Sequence, residues 1–500
     1  MSVARLACAI TLACLLVVAT LESPRVKETC FANAATPNSI LVVLPTWVGD
    51  FVMATPTLRA IRNRFAEARI TFLMHPNLRE LVRGGDWMDE CVEWPEGNVE
   101  TQKHRNAETG KRQWTWWELR RTLRSREFDW AIVLPNSFRS AWIAWLSGAK
   151  RRIGYARDGR SFLLTDRIAV RNLRRLEDRS SKFEVRNQPL ASARGSDYYV
   201  PSIQTGAMLP VRLGRYVPMP LVEYYADLAE AIGCERPGDR LELFTTSDCD
   251  ESVQRRLGSL GVRPETPSPY PLPQGGRGIL ESRPNIADRH PLIVISPGAK
   301  FGASKCWLPE RFAAVADRLI ESGNATIIVT CGPGEVSIAR SIGAAMKNYR
   351  AIGPSPRPSD PPGPSLLDRL VRPSVGSSDP WKGEGAGAFV FDDPLLTLGE
   401  LKSLIRRSDL LICNDAGPRH FAKAFDVPVV TVFGPTHPDW TSTSYEKERI
   451  VRIDVDCGPC QQRVCPLGHH QCMTGVTEEM VFDAASSLLR TYVTHHAESH

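Results

Sequence analysis

The sequence has no strong excess of charge of either sign. Its 500 residues include 62 Lys and Arg against 56 Asp and Glu, a formal net charge of +6 at pH 7. A mild positive charge suits a protein that handles anionic ligands or touches an anionic membrane surface, and it is too small to indicate nucleic-acid binding. We therefore expect anionic ligands and no nucleic-acid partner.

Long hydrophobic runs are also scarce. One run, 6–21, is apolar apart from two threonines, follows Arg5 and precedes a small-residue stretch at 32–34. This arrangement is typical of a secretory signal or a short anchor, and the run is short for a spanning helix, which needs about 20 residues. We set residues 1–38 apart as a signal-like or anchor-like extension, with a start assigned too far upstream as the alternative. We expect no other membrane span.

The sequence lacks the cysteine pattern of a disulfide framework. Nine of its 13 cysteines are scattered, and the other four are Cys457, Cys460, Cys465 and Cys472, in a segment that we call the cysteine loop (457–472). A Cys-x2-Cys pair followed by two more cysteines can hold zinc tetrahedrally, and two histidines in the loop offer substitute ligands. A structural zinc site is therefore predicted, with reduced free thiols or, in an exported protein, disulfides as alternatives.

Length and apolar content favour two domains. Hydrophobic residues make up 42% of the sequence, which can fill two cores in a chain of this length. A Pro/Gly-rich linker at 264–288 separates two βα-repeating lobes, 39–263 and 289–493, and the cleft between them is the default ligand site. Two polar stretches without periodicity, about 171–216 and 350–387, are predicted insertions, the second of them disordered.

Apolar runs and helical periodicity assign elements to both lobes. Runs of strand length alternate with amphipathic segments, a pattern that favours parallel sheets covered by helices. The predicted strands are 39–44, 70–74, 129–134, 292–296, 325–330, 410–413 and 427–433, and the predicted helices begin near 51, 141, 220, 308, 336, 396 and 477.

The turn after the strand at 410–413 is the strongest local candidate for a site. Pro418 suits the first position of a helix, because its missing N–H would be unpaired there anyway. Free N–H groups at this helix start, with Arg419 and His420 in its first turn, favour a diphosphate at the carboxyl edge of the sheet. The alternative is an ordinary strand–turn–helix unit whose polar residues only shape the turn.

Five motifs, taken in order, resemble those of the ADP-heptose:lipopolysaccharide heptosyltransferases, glycosyltransferase family 9, and of the heptosyltransferase II-like branch in particular. They are LPTWVGD (44–50) with MATPTLRAIR (53–62), LPNSFRS (134–140), RIGY (152–155), SPGAKFGASK (296–305) with Trp307, and NDAGPRH (414–420) with FGPT (433–436). The resemblance implies an α/β protein of the GT-B fold, in which two Rossmann-like lobes with parallel sheets face each other across a cleft. It also implies that the first lobe binds the acceptor and the second the nucleotide sugar.

The resemblance implies an inverting transfer of heptose from ADP-heptose to the lipid A–core (Kdo/heptose) acceptor of lipopolysaccharide, with no cofactor required for catalysis. Its partners would be the nucleotide sugar and the lipopolysaccharide core precursor. Because ADP-sugars belong to the cytosol, the catalytic body is expected in the cytoplasm, in peripheral contact with the inner face of the cytoplasmic membrane. The alternatives are a GT-B glycosyltransferase that uses another nucleotide sugar for a cell-envelope glycan, and a non-catalytic GT-B-fold binding protein.

The resemblance assigns two catalytic residues. Asp50 matches the family's proposed base, which takes a proton from the acceptor hydroxyl, and Lys305 matches the lysine that meets the phosphates and stabilises the departing diphosphate. The alternative for Asp50 is a carboxylate that merely complements a helix dipole. The alternative for Lys305 is a solvated surface lysine, and Lys300 is a weaker candidate for its role.

The remaining site predictions concern the two substrates. The predicted donor-binding residues are Glu335, for a ribose or adenosine hydroxyl, and Asp415, Ala416, Gly417 and His420 at the helix start. The predicted acceptor-binding residues are Asn136, Ser137 and Arg139, although a turn at a strand end needs such residues in any case.

Overall fold

The structure is a computed structural model, and it describes residues 36–94, 116–168, 219–262, 290–350 and 386–494. The predicted linker and the insertion at 171–216 lie outside these residues, as does nearly all of the N-terminal extension. Most of the insertion predicted at about 350–387 also lies outside them, and Gly387, its approximate end, is the first residue of a buried strand. The lobe boundaries stay predictions.

The first lobe is built on a parallel six-stranded sheet. Its strands are β1 (Ser39–Val43), β2 (Arg69–Met74), β3 (Glu90–Glu93), β4 (Trp130–Val133), β5 (Arg151–Tyr155) and β6 (Asp166–Ile168). The order across the sheet is β3-β2-β1-β4-β5-β6. The order reverses between β1 and β4, and ligands of open α/β sheets bind beside such a reversal, outside the carboxyl ends of the strands.

The second lobe repeats this topology. Its strands are β7 (Leu292–Ser296), β8 (Thr326–Thr330), β9 (Gly387–Phe391), β10 (Leu410–Asn414), β11 (Val429–Val432) and β12 (Glu448–Val451). Their order, β12-β11-β10-β7-β8-β9, reverses between β7 and β10. The predicted α/β architecture of two Rossmann-like lobes with parallel sheets, the GT-B fold, is therefore confirmed.

Helices cover both sheets. They are α1 (Val48–Arg64), α2 (Arg79–Val82), α3 (Trp116–Arg124), α4 (Phe138–Leu146), α5 (Leu221–Ala231), α6 (Ser247–Ser259), α7 (Pro309–Gly323), α8 (Val336–Ala345), α9 (Leu398–Arg407), α10 (Gly417–Ala424), α11 (Gln471–Thr474) and α12 (Glu478–Leu489). Short 3-10 turns lie at Pro76–Leu78, Ser161–Leu163, Ala303–Lys305 and Pro438–Thr441, and a π turn at Arg490–Thr494. Within the ranges described, none of the helices is long and apolar enough to cross a bilayer.

The two lobes are joined by direct packing as well as by the chain. Helix α6 precedes the predicted linker, yet it packs on α9 of the second lobe, where Ser252 Oγ donates to Glu400 at 2.6 Å. Helix α6 also contacts the first lobe, where its Asp248 carboxylate lies 3.0 Å from the Arg83 guanidinium. The sequence did not predict α6. It contacts both lobes and so helps to hold them together.

Candidate active site

The strand ends beside the two reversals carry most of the predicted site residues. In the first lobe β1 leads to Asp50 and β4 leads to Asn136, while in the second lobe β7 leads to Lys305 and β10 leads to Asp415. Because carboxyl ends of parallel strands lie at one edge of a sheet, each lobe gathers its pair of loops at one place. Lys305 lies on the loop after β7, and Asp50 lies in the first turn of α1, which follows the loop after β1.

Two helix N-termini, one from each lobe, meet at this place. Helix α10 begins at Gly417 directly after its N-cap residue Ala416, and it packs against the start of α1. A methyl group on Gly417 would lie 2.7 Å from Cγ1 of Val48, and one on Gly49 would lie 3.1 Å from Cδ2 of His420. The close approach therefore depends on glycine on both sides. Two positive helix ends at one point favour an anion between the lobes.

Lys305 and Asp415 form an ion pair in the second lobe. Lys305 Nζ lies 2.5 Å from Oδ2 of Asp415, and Oγ1 of Thr436 donates to the same oxygen at 2.7 Å. Burial alone would raise the pKa of Asp415, but the Lys305 and Arg419 cations outweigh burial and lower this pKa to about 2. Asp415 is therefore ionised at neutral pH, and it fixes the Lys305 ammonium beside the start of α10.

Asp50 is influenced by the same charged groups, but its pKa is shifted in the opposite direction. Burial raises the pKa of its carboxyl from 3.8 to about 7, the Lys305 cation opposes this shift, and the Asp415 carboxylate adds to it. A carboxyl group with a pKa near 7 is matched to proton abstraction at neutral pH. A carboxylate that only complements the dipole of α1 would be expected to have a lowered pKa instead.

The cysteine loop holds the turn that carries Lys305. Ser304 Oγ donates to the carbonyl oxygen of Gln462 at 2.6 Å, and its backbone N–H donates to that of Arg463 at 3.2 Å. His470 Nε2 lies 2.7 Å from the Ser304 carbonyl oxygen. The ammonium of Lys305 also lies 4.6 Å from the ring centre of Phe301. These hydrogen bonds to the cysteine loop therefore fix the position of the turn that carries Lys305. The sequence did not indicate this role of the loop.

Arg419 does not face the diphosphate position, and this part of the prediction is wrong. The side chain is fully buried, with Nε donating to Glu448 at 2.5 Å and Nη1 donating to Thr441 Oγ1 at 2.6 Å. Lys423 Nζ lies 2.8 Å from the same glutamate. The guanidinium is held in the core by the first residue of β12, a strand that the sequence did not predict. It acts on the site through its charge, 3.6 Å from Asp415.

His420 lies between the lobes. It is 3% exposed, and its ring packs against Gly49. Burial, together with the nearby cations Arg419 and Lys423, lowers its pKa well below the ordinary value of 6.5, so the imidazole is neutral at pH 7. Its Nδ1 finds no hydrogen-bond partner among the described residues. An orphaned buried nitrogen beside two helix starts is consistent with a ligand contact, which stays a prediction for His420.

Glu335 lies at the start of α8, next to the loop after β7. One carboxylate oxygen accepts from the Gly332 N–H at 2.9 Å. A methyl group on Gly298 would lie 2.0 Å from this carboxylate, so the side chain packs on bare backbone there. The turn therefore holds the carboxylate beside the carboxyl end of β7, and its contact with a nucleoside hydroxyl stays a prediction.

A cavity of about 450 Å³ opens beside Asp50 in the first lobe. Its lining includes all three predicted acceptor residues, yet two of them already have structural hydrogen bonds. Asn136 Oδ1 accepts from Tyr224 at 2.9 Å, and the Ser137 hydroxyl accepts from Ser140 N at 3.2 Å as the N-cap of α4. Arg139 is exposed, with its guanidinium 4.8 Å from the ring centre of Trp94. All three stay predictions, with Arg139 the best placed.

The cavity also contains residues that the sequence did not single out. They include Trp94, which directly follows β3, Tyr225 on α5 and His75 after β2. Lys300, the weaker candidate for the role of Lys305, also lines the cavity from the second lobe. Trp94 is 4% exposed, and its indole Nε1 has no hydrogen-bond partner within the described part of the chain. An aromatic wall with a spare N–H donor suits a hydroxyl-rich ligand. Identifying β3 would have placed Trp94 at this edge.

The four cysteines of the loop are free thiols. Cys472 is buried, which raises its pKa to about 11, and the other three cysteines lie near enough to add to this shift. In the ranges that the structure covers, however, no three Cys, His, Asp or Glu side chains are grouped closely enough to hold a metal ion. As arranged here, the thiols do not fit a tetrahedral zinc site, and the predicted zinc is not confirmed.

The protein has the GT-B fold, with two helix N-termini that meet between its lobes and the half-buried carboxyl group of Asp50 beside a cavity of about 450 Å³. The model of glycosyltransferase family 9 (heptosyltransferase) matches residues 116–207, 264–354 and 394–471, just over half of the chain. The chain therefore belongs to glycosyltransferase family 9.

Similar proteins agree with this membership. The chain is 25% identical over 455 residues to lipopolysaccharide heptosyltransferase 2 of Salmonella typhimurium and 24% identical over 455 residues to that of Escherichia coli, and each match covers 90% of this chain and 98% of the relative. Among solved structures, the ADP-heptose lipopolysaccharide heptosyltransferase II of E. coli has a TM-score of 0.54 at 19% identity, covering 90% of this chain and 98% of that one. A family 9 glycosyltransferase from Veillonella parvula has a TM-score of 0.56 at 17% identity, with coverage of 91% and 97%. At these identities the structures establish the fold alone.

Proposed function

We propose that the protein transfers a heptose from ADP-heptose to the lipid A–core acceptor in lipopolysaccharide core biosynthesis, with inversion at the anomeric carbon. Family membership and the names of the full-length relatives support this function over use of another nucleotide sugar. The observation that carries a catalytic role is the Asp50 carboxyl with a pKa of about 7, placed beside Lys305 and two helix starts. A protein that only binds would not need this arrangement.

In the proposed reaction Asp50 is the base. Its ionised carboxylate takes the proton of the acceptor hydroxyl as that oxygen attacks the anomeric carbon. The bond to ADP breaks on the opposite face, so the configuration inverts. Because Asp50 lies in the first turn of α1 and borders the first-lobe cavity, an acceptor in that cavity would place its hydroxyl at the carboxylate.

Lys305 and the start of α10 stabilise the departing diphosphate. Negative charge grows on ADP as the glycosidic bond breaks, and an ammonium beside a helix N-terminus is the fitting partner. The ion pair with Asp415 holds the ammonium in place before the donor arrives, so little reorganisation is needed during the reaction. The donor side of this proposal rests on Lys305, Asp415, Ala416, Gly417 and His420, with Glu335 nearer the nucleoside.

The test is a transfer assay with purified protein, ADP-heptose and a heptose-deficient core acceptor. We expect release of ADP and an acceptor heavier by one heptosyl residue, and no transfer from a UDP- or GDP-sugar. A thermal-shift screen supplies a second readout, because a donor at about 100 times its dissociation constant should add about 2.7 kcal/mol of stability. If another nucleotide sugar stabilises the protein and also serves as the donor in the transfer assay, the alternative glycosyltransferase function replaces this proposal.

A separate test concerns the acceptor cavity. Trp94→Phe removes the unpartnered indole N–H and keeps an aromatic ring for the Arg139 guanidinium to contact. We expect the acceptor KM to rise and the donor KM to stay unchanged, because the donor belongs to the other lobe. An unchanged acceptor KM would remove Trp94 from the acceptor site.

Two finer expectations belong to this proposal. Since the donor is cytosolic, the catalytic body works in the cytoplasm, in peripheral contact with the inner face of the cytoplasmic membrane where the acceptor is anchored. The second is the structural zinc of the cysteine loop. Metal analysis of the purified protein tests for this zinc. One zinc per chain in the parent, and none in a variant that carries both Cys457→Ser and Cys460→Ser, would support the site. It would also mean that the thiols move closer together than they are in this structure.

A further inference from the structure

The exposed side of α4 is aromatic where a surface helix is normally polar. Phe138, Trp142 and Trp145 follow one another at spacings of four and three residues, so they form one stripe along the helix. Phe138 is 49% and Trp145 48% exposed, and Trp142 is half-buried. The opposite side of the helix, which includes Ile143, packs into the first-lobe core. Trp142 also packs against this core, whereas the exposed Phe138 and Trp145 are not needed to attach α4 to its own sheet.

Two neighbouring segments extend this stripe into a surface. Phe162 is 60% exposed, and its ring centre lies 6.0 Å from that of Phe138. Trp117 on α3 is 77% exposed, while its neighbour Trp116 packs on Trp142 at 5.3 Å. We call Trp117, Phe138, Trp142, Trp145 and Phe162 the aromatic face. All exposed Trp and Phe side chains among the described residues belong to the aromatic face, so they are concentrated on one surface rather than scattered.

The aromatic face lies in a basic part of the chain. Residues 116–168 contain eleven Arg and Lys against five Asp and Glu. Two of the acids are already neutralised, Asp129 by Lys150 at 2.7 Å and Asp166 by an arginine at 2.6 Å. Arg121 and Arg124 are exposed on α3, next to the most exposed tryptophan. Exposed aromatic side chains bordered by arginine suit the headgroup region of an anionic bilayer.

We propose that the aromatic face docks on an anionic lipid bilayer, with its aromatic side chains among the headgroups and the α3 arginines on lipid phosphates. The proposal rests on the proposed function, which supplies an acceptor held in a membrane. The face is continuous with the acceptor cavity, because Ser137 and Arg139, which flank Phe138 in the sequence, line that cavity. A sugar at the bilayer surface would then enter beside Asp50. A second copy of the chain is a poorer occupant, since two such basic surfaces repel each other.

Sedimentation with vesicles tests the docking surface on the full chain. The vesicles contain phosphatidylglycerol and phosphatidylethanolamine, with pure phosphatidylcholine vesicles as the uncharged comparison. The test variant combines Phe138→Ser, Trp145→Ser and Phe162→Ser, and the control combines Tyr349→Ser and Met480→Ser, two exposed large hydrophobic residues of the second lobe. The test variant should bind about 10- to 100-fold more weakly, because three aromatic rings no longer leave water when the protein docks. The control should bind like the parent.

The charge contribution has its own variant. Arg121→Gln with Arg124→Gln should weaken binding to the anionic vesicles about 30-fold, and it should leave the weak binding to phosphatidylcholine unchanged. Transfer to a water-soluble core oligosaccharide without acyl chains should continue at the parent rate in all variants, because the aromatic face touches only the lipid part of the acceptor complex.

Each result bears on one hypothesis. Equal vesicle binding by the parent and the aromatic variant overturns the docking surface, and so does a parent that transfers heptose to the soluble oligosaccharide but ignores vesicles. A parent dimer that becomes monomeric in the aromatic variant would make a second copy the occupant and also overturn the proposal. Vesicle binding that depends on the face, without any transfer, would retain the docking surface and reject the proposed function.

Discussion

The pKa of Asp50 gives the sharpest test of the proposed reaction. Asp50→Asn removes the base and keeps the size of the side chain, so turnover should fall about 10²- to 10⁴-fold. ADP affinity should stay close to that of the parent, because Lys305 and α10 belong to the other lobe. The matched control is Asp86→Asn, which removes an exposed first-lobe carboxylate and should leave turnover unchanged.

The pH dependence follows from the same group. With a pKa of about 7, roughly one-eleventh of Asp50 is ionised at pH 6 and ten-elevenths at pH 8, so kcat/KM of the parent should rise about tenfold over this interval. The assay is initial-rate kinetics at limiting acceptor with saturating ADP-heptose. A flat profile in a reaction limited by chemistry, or full activity of Asp50→Asn, would refute the assignment of the base.

Stability provides an independent check. The folded-state pKa of Asp50 lies above the ordinary value of 3.8, so ionising this group costs folding free energy. That cost is absent below about pH 4, grows as the pH rises towards 7, and is constant above it. Asp50→Asn should therefore raise Tm more at pH 8 than at pH 5. An equal change at both pH values would mean that the cost does not come from ionisation.

Three further predictions concern other parts of the site and chain. Lys305→Ala should weaken ADP about ten- to a hundredfold in calorimetric titration, because a charge-assisted phosphate contact contributes about 1.5–3 kcal/mol; unchanged ADP affinity would move the diphosphate elsewhere. Gly417→Ala should lower turnover, because its methyl group would meet Val48 at 2.7 Å and separate the helix starts, whereas Gly323→Ala, with open space around it, should not. Replacing 351–385 by a short Gly/Ser linker should leave Tm and turnover nearly unchanged, because the chain on its two sides is already hydrogen-bonded together.

The sequence predicted every interior strand except β5, and it missed all four edge strands. Strands such as β1, β7 and β10 are covered on both faces, so they appear as continuous apolar runs. The edge strands β3, β6, β9 and β12 were not predicted. Two of them, ECVE and ERIV, carry charges that remain acceptable at a sheet edge, and β9 was hidden by the Pro/Gly-rich segment before it. Apolar runs alone cannot identify such strands.

The failure to predict edge strands also explains which features of the site the sequence did not predict. The predicted residues lie on loops after central strands, so their convergence followed from topology. The direction of Arg419 depends on Glu448, which begins an edge strand, and the position of Trp94 depends on the edge strand before it. The support that the cysteine loop gives to Lys305 joins segments more than 150 residues apart, and no local pattern records it.

The two carboxylates of the site show how one environment assigns two roles. Asp50 is half-buried and Asp415 is buried, and the charge of Lys305 acts on both, yet the pKa of Asp50 is raised to about 7 and that of Asp415 is lowered to about 2. Asp415 has the ammonium in direct contact, a threonine hydroxyl bond and a buried guanidinium, whereas Asp50 feels Lys305 only at longer range. When the surroundings shift the pKa values of two neighbouring acids in opposite directions, one acid stays charged and the other can exchange a proton. Asp415 is therefore the fixed anion that positions Lys305, and Asp50 has the pKa that the proposed base needs in order to take the acceptor proton at neutral pH.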